Sequence, residues 1–274
     1  MISVDGRSLH VEESGDPSGR PYLFLHGWPE SWRTWKPLMD AASPEARVIA
    51  LDLPGIGGST GGVAGGSKAE LASVVHGLVE ELSLTDLTLV GHDAGGMVAY
   101  AYLRRYDVGR VVIMNTVIPG VDPWNDVLRN PYIWHFGLHA VPSLPETLVR
   151  GRQAEYFDYF YDVLSADPSR IAPASRAAHV AAYESDTALT AGFDLYRAFA
   201  QDAKDNAAVT EPTATPLLYL RGDGEGGDIT AYAAGFRKAG IENLTTAIVQ
   251  DAGHFAQEEQ PAAVWAEIEV FGSR

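Results

Sequence analysis

The segment Val90-Gly91-His92-Asp93-Ala94-Gly95-Gly96 follows an apolar run, Leu87-Thr88-Leu89-Val90, and leads directly into residues of helical spacing from Met97 to Tyr106. A turn that joins a buried strand to a helix in so few residues forces one side chain into a strained backbone conformation. It projects that side chain over the sheet edge, at the positive end of the helix. Gly91 and Gly95 leave room for strand and helix to approach, and the projected residue is Asp93. One aspartate before a helix is also an ordinary N-cap, so its partners decide between the two readings. As a nucleophile a carboxylate needs no base. It attacks saturated carbon, displacing halide or opening an epoxide, and leaves an alkyl ester on the protein.

Hydrolysis of that ester needs oxyanion donors and a base. The donors are expected in His26-Gly27-Trp28-Pro29, directly after the apolar run Tyr22 to Leu25, with the backbone N–H groups of Trp28 and Ala94 aimed at one Asp93 oxygen. The bond before Pro29 is a candidate for the cis form. His26 is read as a structural histidine bonded to backbone, and His92 as pointing away from the site. The base is His254, in Asp251-Ala252-Gly253-His254-Phe255, after the last apolar strand and in the chain order nucleophile then histidine.

The elements that position these residues follow from hydrophobic periodicity. Short apolar runs at 22–25, 48–51, 87–90, 111–114, 217–220 and 245–249 read as strands. Segments 31–40, 68–82, 97–106, 229–239 and 261–271 read as helices. Continuous apolar strands alternating with helices predict an α/β class with a mostly parallel sheet, helices on both faces, and ligand residues at the carboxyl edge. The pattern breaks at 119–209, where aromatics such as Trp134, Phe136, Tyr156, Phe160, Phe193 and Tyr196 recur at helical spacing. Residues 1–118 and 210–274 are thus expected to form the core domain and 119–209 an inserted helical cap. The glycine-rich stretch 55–66 lacks the Lys-Ser/Thr of a phosphate cradle and reads as a flexible surface loop.

Composition narrows the partners. The chain has 274 residues and no cysteine, which excludes disulfides and thiolate chemistry. A formal charge of −16 disfavours nucleic acid and anionic membrane surfaces. The N-terminal segment has Asp5, Glu12 and Glu13 and no apolar run, and no stretch approaches membrane-spanning length, so a soluble cytoplasmic protein is expected.

Taken as a set, His26-Gly-Trp-Pro, Asp52-Leu-Pro-Gly, Gly91-His-Asp-Ala-Gly-Gly and Gly253-His-Phe-x-x-x-Glu resemble the α/β-hydrolase superfamily across nearly the whole chain. The likeness is to its epoxide hydrolase and dehalogenase branch. The resemblance implies the α/β-hydrolase fold and covalent hydrolysis by Asp93 and His254, with no metal or organic cofactor. Within that branch, haloalkane dehalogenases carry a tryptophan after the nucleophile and fluoroacetate dehalogenases an arginine. Here the residue is Ala94. Trp134-His135-Phe136 and Phe193-Asp194-Leu195-Tyr196-Arg197-Ala198 are similar to the cap segments of the Cif-like epoxide hydrolases. The resemblance therefore assigns His135 and Tyr196 as donors to the opening oxyanion. Both are also explained by aromatic packing alone.

One departure concerns the acid that orients the base. The position used by the Cif-like enzymes is Asn115, whose amide orients a histidine without supplying charge. Many superfamily members place the acid after the later strand, where this chain has Asp223, Glu225 and Asp228. Glu225 has the usual offset, Asp223 is second, Asn115 is a neutral helper, and Asp228 reads as a helix N-cap. The leading expectation is an epoxide hydrolase acting on a small apolar or aromatic epoxide. The alternatives are a dehalogenase with the same Asp-His chemistry and a non-catalytic ligand-binding protein. A homodimer stays open.

Overall fold

The computed structural model describes residues 1–273. Its strands are β1 (Ile2–Val4), β2 (Arg7–Leu9), β3 (Val11–Gly15), β4 (Pro21–Leu25), β5 (Arg47–Leu51), β6 (Thr88–His92), β7 (Arg110–Met114), β8 (Leu217–Gly222) and β9 (Leu244–Val249). The last seven form one sheet in the order β3-β5-β4-β6-β7-β8-β9. Only β3 runs antiparallel, against β5. The expected α/β class is present.

Alternate residues of each central strand enter different cores. Leu23, Leu25, Leu89, Val111 and Ile113 join Leu71, Val75 and Met97 from helices Lys68–Glu81 and Ala94–Leu103. Tyr22, Phe24, Val90, Val112 and Met114 join Trp35, Leu38, Trp265 and Ile268 on the other face. With both faces covered, the central strands carry apolar residues on both faces, and the period-2 signal of a half-exposed strand is absent from them. The expected strands match the main sheet. The antiparallel β1–β2 hairpin and β3 escaped the reading because their burial is partial and polar residues interrupt them. The helix after Asp93 runs Ala94–Leu103 rather than 97–106. Gly95 and Gly96 are poor helix formers, and tertiary packing overrides their propensity.

Strands β7 and β8 are hydrogen-bonded neighbours, in register from Val111↔Leu217 to Met114↔Leu220. Every regular element between them is helical, from Trp124–Arg129 to Phe199–Ala208. The aromatic face of these helices, including Phe157, Tyr161, Phe193 and Tyr196, continues the first core. The glycine-rich stretch is not a free surface loop. Ile56 and Val63 are buried, Gly57 N–H donates to Ala182 O at 3.0 Å, and Gly66 lies against the backbone of Asp194. Its glycines allow the loop backbone to seat on the helical insert. No helix is long and apolar enough to cross a membrane.

Candidate active site

Asp93 sits alone between β6 and helix Ala94–Leu103, with φ 48° and ψ −120°. Such a backbone costs on the order of 1–3 kcal/mol and persists only where its surroundings hold it. Here Asp93 N–H donates to Met114 O of the neighbouring strand at 3.1 Å, and Asp93 O accepts from Gly96 N–H at 2.9 Å. A Cβ at Gly95 would lie 2.2 Å from Leu25 O, so only glycine lets the helix start this close to β4. The carboxylate Oδ2 accepts from Trp28 N–H at 2.9 Å. A Cβ at Gly27 would stand 2.5 Å from the Asp93 Cβ, so that position too must be glycine. Among the described residues Trp28 is the only hydrogen-bond donor to this carboxylate. Ala94, the second expected donor, makes no bond to it. A donor aimed at a tetrahedral oxyanion need not meet the resting carboxylate.

The loop carrying Trp28 is fixed from behind. The Trp28–Pro29 peptide is cis. His26 Nδ1–H donates to Gly27 O at 2.8 Å and its Nε2 accepts from Leu53 N–H at 2.9 Å, a structural role as expected. Glu30, fully buried, accepts from Gly27 N–H, the Thr34 hydroxyl and the Gln257 amide, each at 2.7 Å. Its other partner is His92 Nδ1 at 2.8 Å, while His92 Nε2–H donates to His254 O at 2.8 Å. Burial pulls the His92 pKa down, but the Glu30 carboxylate outweighs it and brings it up to about 9. Glu30 is held well below the usual carboxylate range: burial opposes its charge, and His92 overcomes that. This buried ion pair was not singled out in the sequence. Its two members come from a loop and the end of β6, and only His92 lies in a motif.

His254 Nδ1–H donates to Glu225 Oε1 at 2.8 Å, which leaves the far nitrogen, Nε2, with its lone pair. Glu225 is steadied by Arg221, whose Nη2 lies 3.3 Å from Oε2 and 2.9 Å from the Glu225 carbonyl. Asn115 does not touch the ring. Its Nδ2 donates to the carbonyls of Gly253 and His254 at 2.7 and 2.6 Å, and its Oδ1 accepts from Gly222 N–H at 3.2 Å. Asp223 accepts from Ala252 N–H at 3.2 Å, and Asp228 caps helix Ile229–Lys238. The three acids thus occupy three places, and one of them meets the imidazole.

The helical insert brings His135 and Tyr196 together, with ring centroids 5.9 Å apart. Both are buried. Burial lowers the His135 pKa to about 3, so its ring is neutral at neutral pH. Burial raises the Tyr196 phenol well above its ordinary value, and the charge of Asp93 adds to the rise. The indole of Trp28 packs edge-on against Phe160, Tyr196 and His139 at 5.0, 5.6 and 4.5 Å. Lys68, buried in the core helix, bonds Leu195 O beside Tyr196 and pairs with Asp202 at 3.1 Å. Trp28 entered the sequence reading for its backbone alone, and His139 and Lys68 did not enter it. The one available signal was the four-residue spacing of His135 and His139, which places them on one helix face. Among the described residues, no group of three or more metal-ligating side chains is placed to hold an ion.

Residues 22–267 match the family described as the alpha/beta hydrolase family. The soluble epoxide hydrolase of Corynebacterium sp. (strain C12) is 30% identical over 275 residues, covering 95% of this chain and 92% of that one. Among solved structures, wild-type Cfl2 from Burkholderia cenocepacia superposes with a TM-score of 0.88 at 32% identity, over 98% of this chain and 94% of that one. The Cif epoxide hydrolase from Acinetobacter nosocomialis shares the fold, with a TM-score of 0.86 at 24% identity, over 98% of this chain and 87% of that one.

Proposed function

This chain belongs to the α/β-hydrolase family and groups with its epoxide hydrolase branch, and on that premise we propose that it opens a small apolar or aromatic epoxide to a vicinal diol. The observation that carries the reading is the placement of Asp93. It stands in a strained strand-to-helix turn, with one carboxylate oxygen bonded to Trp28 N–H, and the His92–Glu30 pair ties that turn to the backbone of His254.

Trp28 engages Oδ2, so Oδ1 of Asp93 is the attacking atom. It forms a bond to an epoxide carbon as that carbon's bond to oxygen breaks. The departing oxygen takes the Tyr196 proton, while the neutral His135 donates a hydrogen bond to the same atom. Attack consumes the Asp93 charge that helps to raise the Tyr196 pKa, so the phenol becomes a better acid as the reaction needs it. His254 Nε2 then takes a proton from water, and the hydroxide adds to the Asp93 carbonyl carbon. Trp28 and Ala94 N–H groups receive the oxyanion. The ester bond breaks as its alkoxide oxygen takes the proton of the added hydroxyl, which restores the Asp93 carboxylate; the diol leaves, and the proton on His254 returns to the Tyr196 phenolate. Glu225 balances the imidazolium.

The helices between β7 and β8 act as the cap of this site in the proposal, and their aromatic residues supply its apolar walls. A dehalogenase would use the same Asp93 and His254, but His135 and Tyr196 are donors suited to an alkoxide. The test is one turnover in heavy-oxygen water with enzyme in excess. The diol is expected to carry an Asp93 oxygen and no solvent label. Full solvent label in that turnover overturns the covalent reading. His254→Gln mixed with epoxides and alkyl halides is expected to gain the mass of an epoxide-derived ester, and a gain from halides alone selects the dehalogenase.

A further inference from the structure

The insert holds a second polar pair. His139 lies one helical turn beyond His135 on the helix Trp134–His139, and its side chain is fully buried. Its Nε2 meets the Tyr156 hydroxyl at 2.7 Å. Its Nδ1 is sealed from solvent and has no protein partner, and His135 Nδ1 is in the same state. The surroundings are aromatic: ring centroids of Tyr196, Trp28 and Phe193 lie 4.4, 4.5 and 4.8 Å from that of His139. Leaving a buried polar atom unpaired costs roughly 1–3 kcal/mol, so each instance calls for a reason.

The chemistry of the pair sets the tautomer. A phenol is a stronger acid than a neutral imidazole, so Tyr156 donates and Nε2 accepts. The hydrogen then sits on Nδ1. Burial lowers the His139 pKa to about 2, so the ring carries no charge at neutral pH. The nearby guanidinium of Arg197 is engaged by Glu146 and Asp194. What remains is a neutral N–H donor beside Trp28 and Tyr196, the residues placed nearest the chemistry. A donor of this kind is satisfied by an uncharged acceptor oxygen entering the aromatic cage.

We propose that His139 Nδ1–H, set as a donor by Tyr156, binds a second, uncharged oxygen of the substrate, so that the preferred substrates are epoxides with an ether or carbonyl oxygen beyond the reacting ring. This subsite rests on the epoxide hydrolase reading above. It acts on selection among epoxides and takes no part in bond making.

The test compares benzyl glycidyl ether with 5-phenyl-1,2-epoxypentane, in which the ether oxygen becomes CH2. Wild type is expected to favour the ether about 10-fold in kcat/KM, the scale of one buried hydrogen bond. His139→Leu removes that preference by slowing the ether about 10-fold more than the hydrocarbon. Tyr156→Phe keeps the imidazole but frees its tautomer, and lowers the preference at least ~3-fold. It carries the test if His139→Leu does not fold. Equal wild-type values for the two epoxides overturn the subsite while epoxide opening stands. So does a full preference that survives either substitution. If neither epoxide is opened and His254→Gln traps no ester, the subsite and the functional reading fall together.

Discussion

Asn115 grips the backbone of His254 and leaves its ring to Glu225. The amide nitrogen of Asn115 donates to the His254 carbonyl at 2.6 Å, while Glu225 Oε1 meets His254 Nδ1 at 2.8 Å. The two residues therefore predict opposite outcomes. Glu225→Gln keeps a hydrogen bond and loses the charge that steadies imidazolium, so ester hydrolysis slows by ~10- to 1000-fold while ester formation is nearly unchanged. Asn115→Asp sets a carboxylate against the Gly253 and His254 carbonyl oxygens and loses two donated bonds. It lowers stability by about 2–4 kcal/mol and does not raise turnover. Burst kinetics and urea unfolding check both.

In the proposed mechanism, Tyr196→Phe and His135→Ala each remove one donor to the developing alkoxide. Each is expected to slow ester formation by ~10- to 1000-fold with little effect on hydrolysis of a preformed ester. Because burial holds His135 neutral down to about pH 3, its protonation adds no acid limb to the rate of ester formation between pH 5 and 8. Single-turnover rates across that interval, compared between wild type and His135→Ala, show whether an imidazolium takes part.

The His92–Glu30 pair sets a pH dependence of stability. The His92 pKa rises on folding from its ordinary value to about 9, so the folded state binds the proton more tightly. Its contribution is whole below about pH 6.5 and is lost as pH rises through about 9. The magnitude is on the order of 3 kcal/mol. Urea midpoints for wild type are expected to fall between pH 6 and 9 more steeply than those of His92→Gln. Parallel curves would contradict the ion pair.

Gly27→Ala places a methyl group 2.5 Å from the Asp93 Cβ, against side-chain and backbone atoms that have no room to yield. The expected result is a folded protein with the Trp28–Asp93 bond broken and ester formation reduced by ~100-fold or more. Circular dichroism alongside single-turnover kinetics separates lost activity from lost fold.

The sheet and the strained turn at Asp93 were legible because local patterns specify them. Buried strands leave apolar runs, and the glycines around Asp93 mark a close approach that only this turn requires. Glu225 was reachable by its offset from β8, while the different places of Asp223, Asp228 and Asn115 depend on loop geometry that no periodicity encodes. The Glu30–His92 pair was illegible for a related reason. Glu30 sits in a loop with no motif of its own, and its partners come from positions as distant as Gln257. His139 and Tyr156 were hidden by composition: in a segment this rich in aromatics, spacing does not tell a packing ring from one that presents a polar edge.

Trp28 contributes its peptide N–H to Asp93 and its indole to the aromatic ceiling formed by Phe160, Tyr196 and His139. One residue is thus both latch and lintel. Any rearrangement that lifts those helices to admit a molecule tugs on the residue that grips the carboxylate, so admission and arming share a single mechanical part.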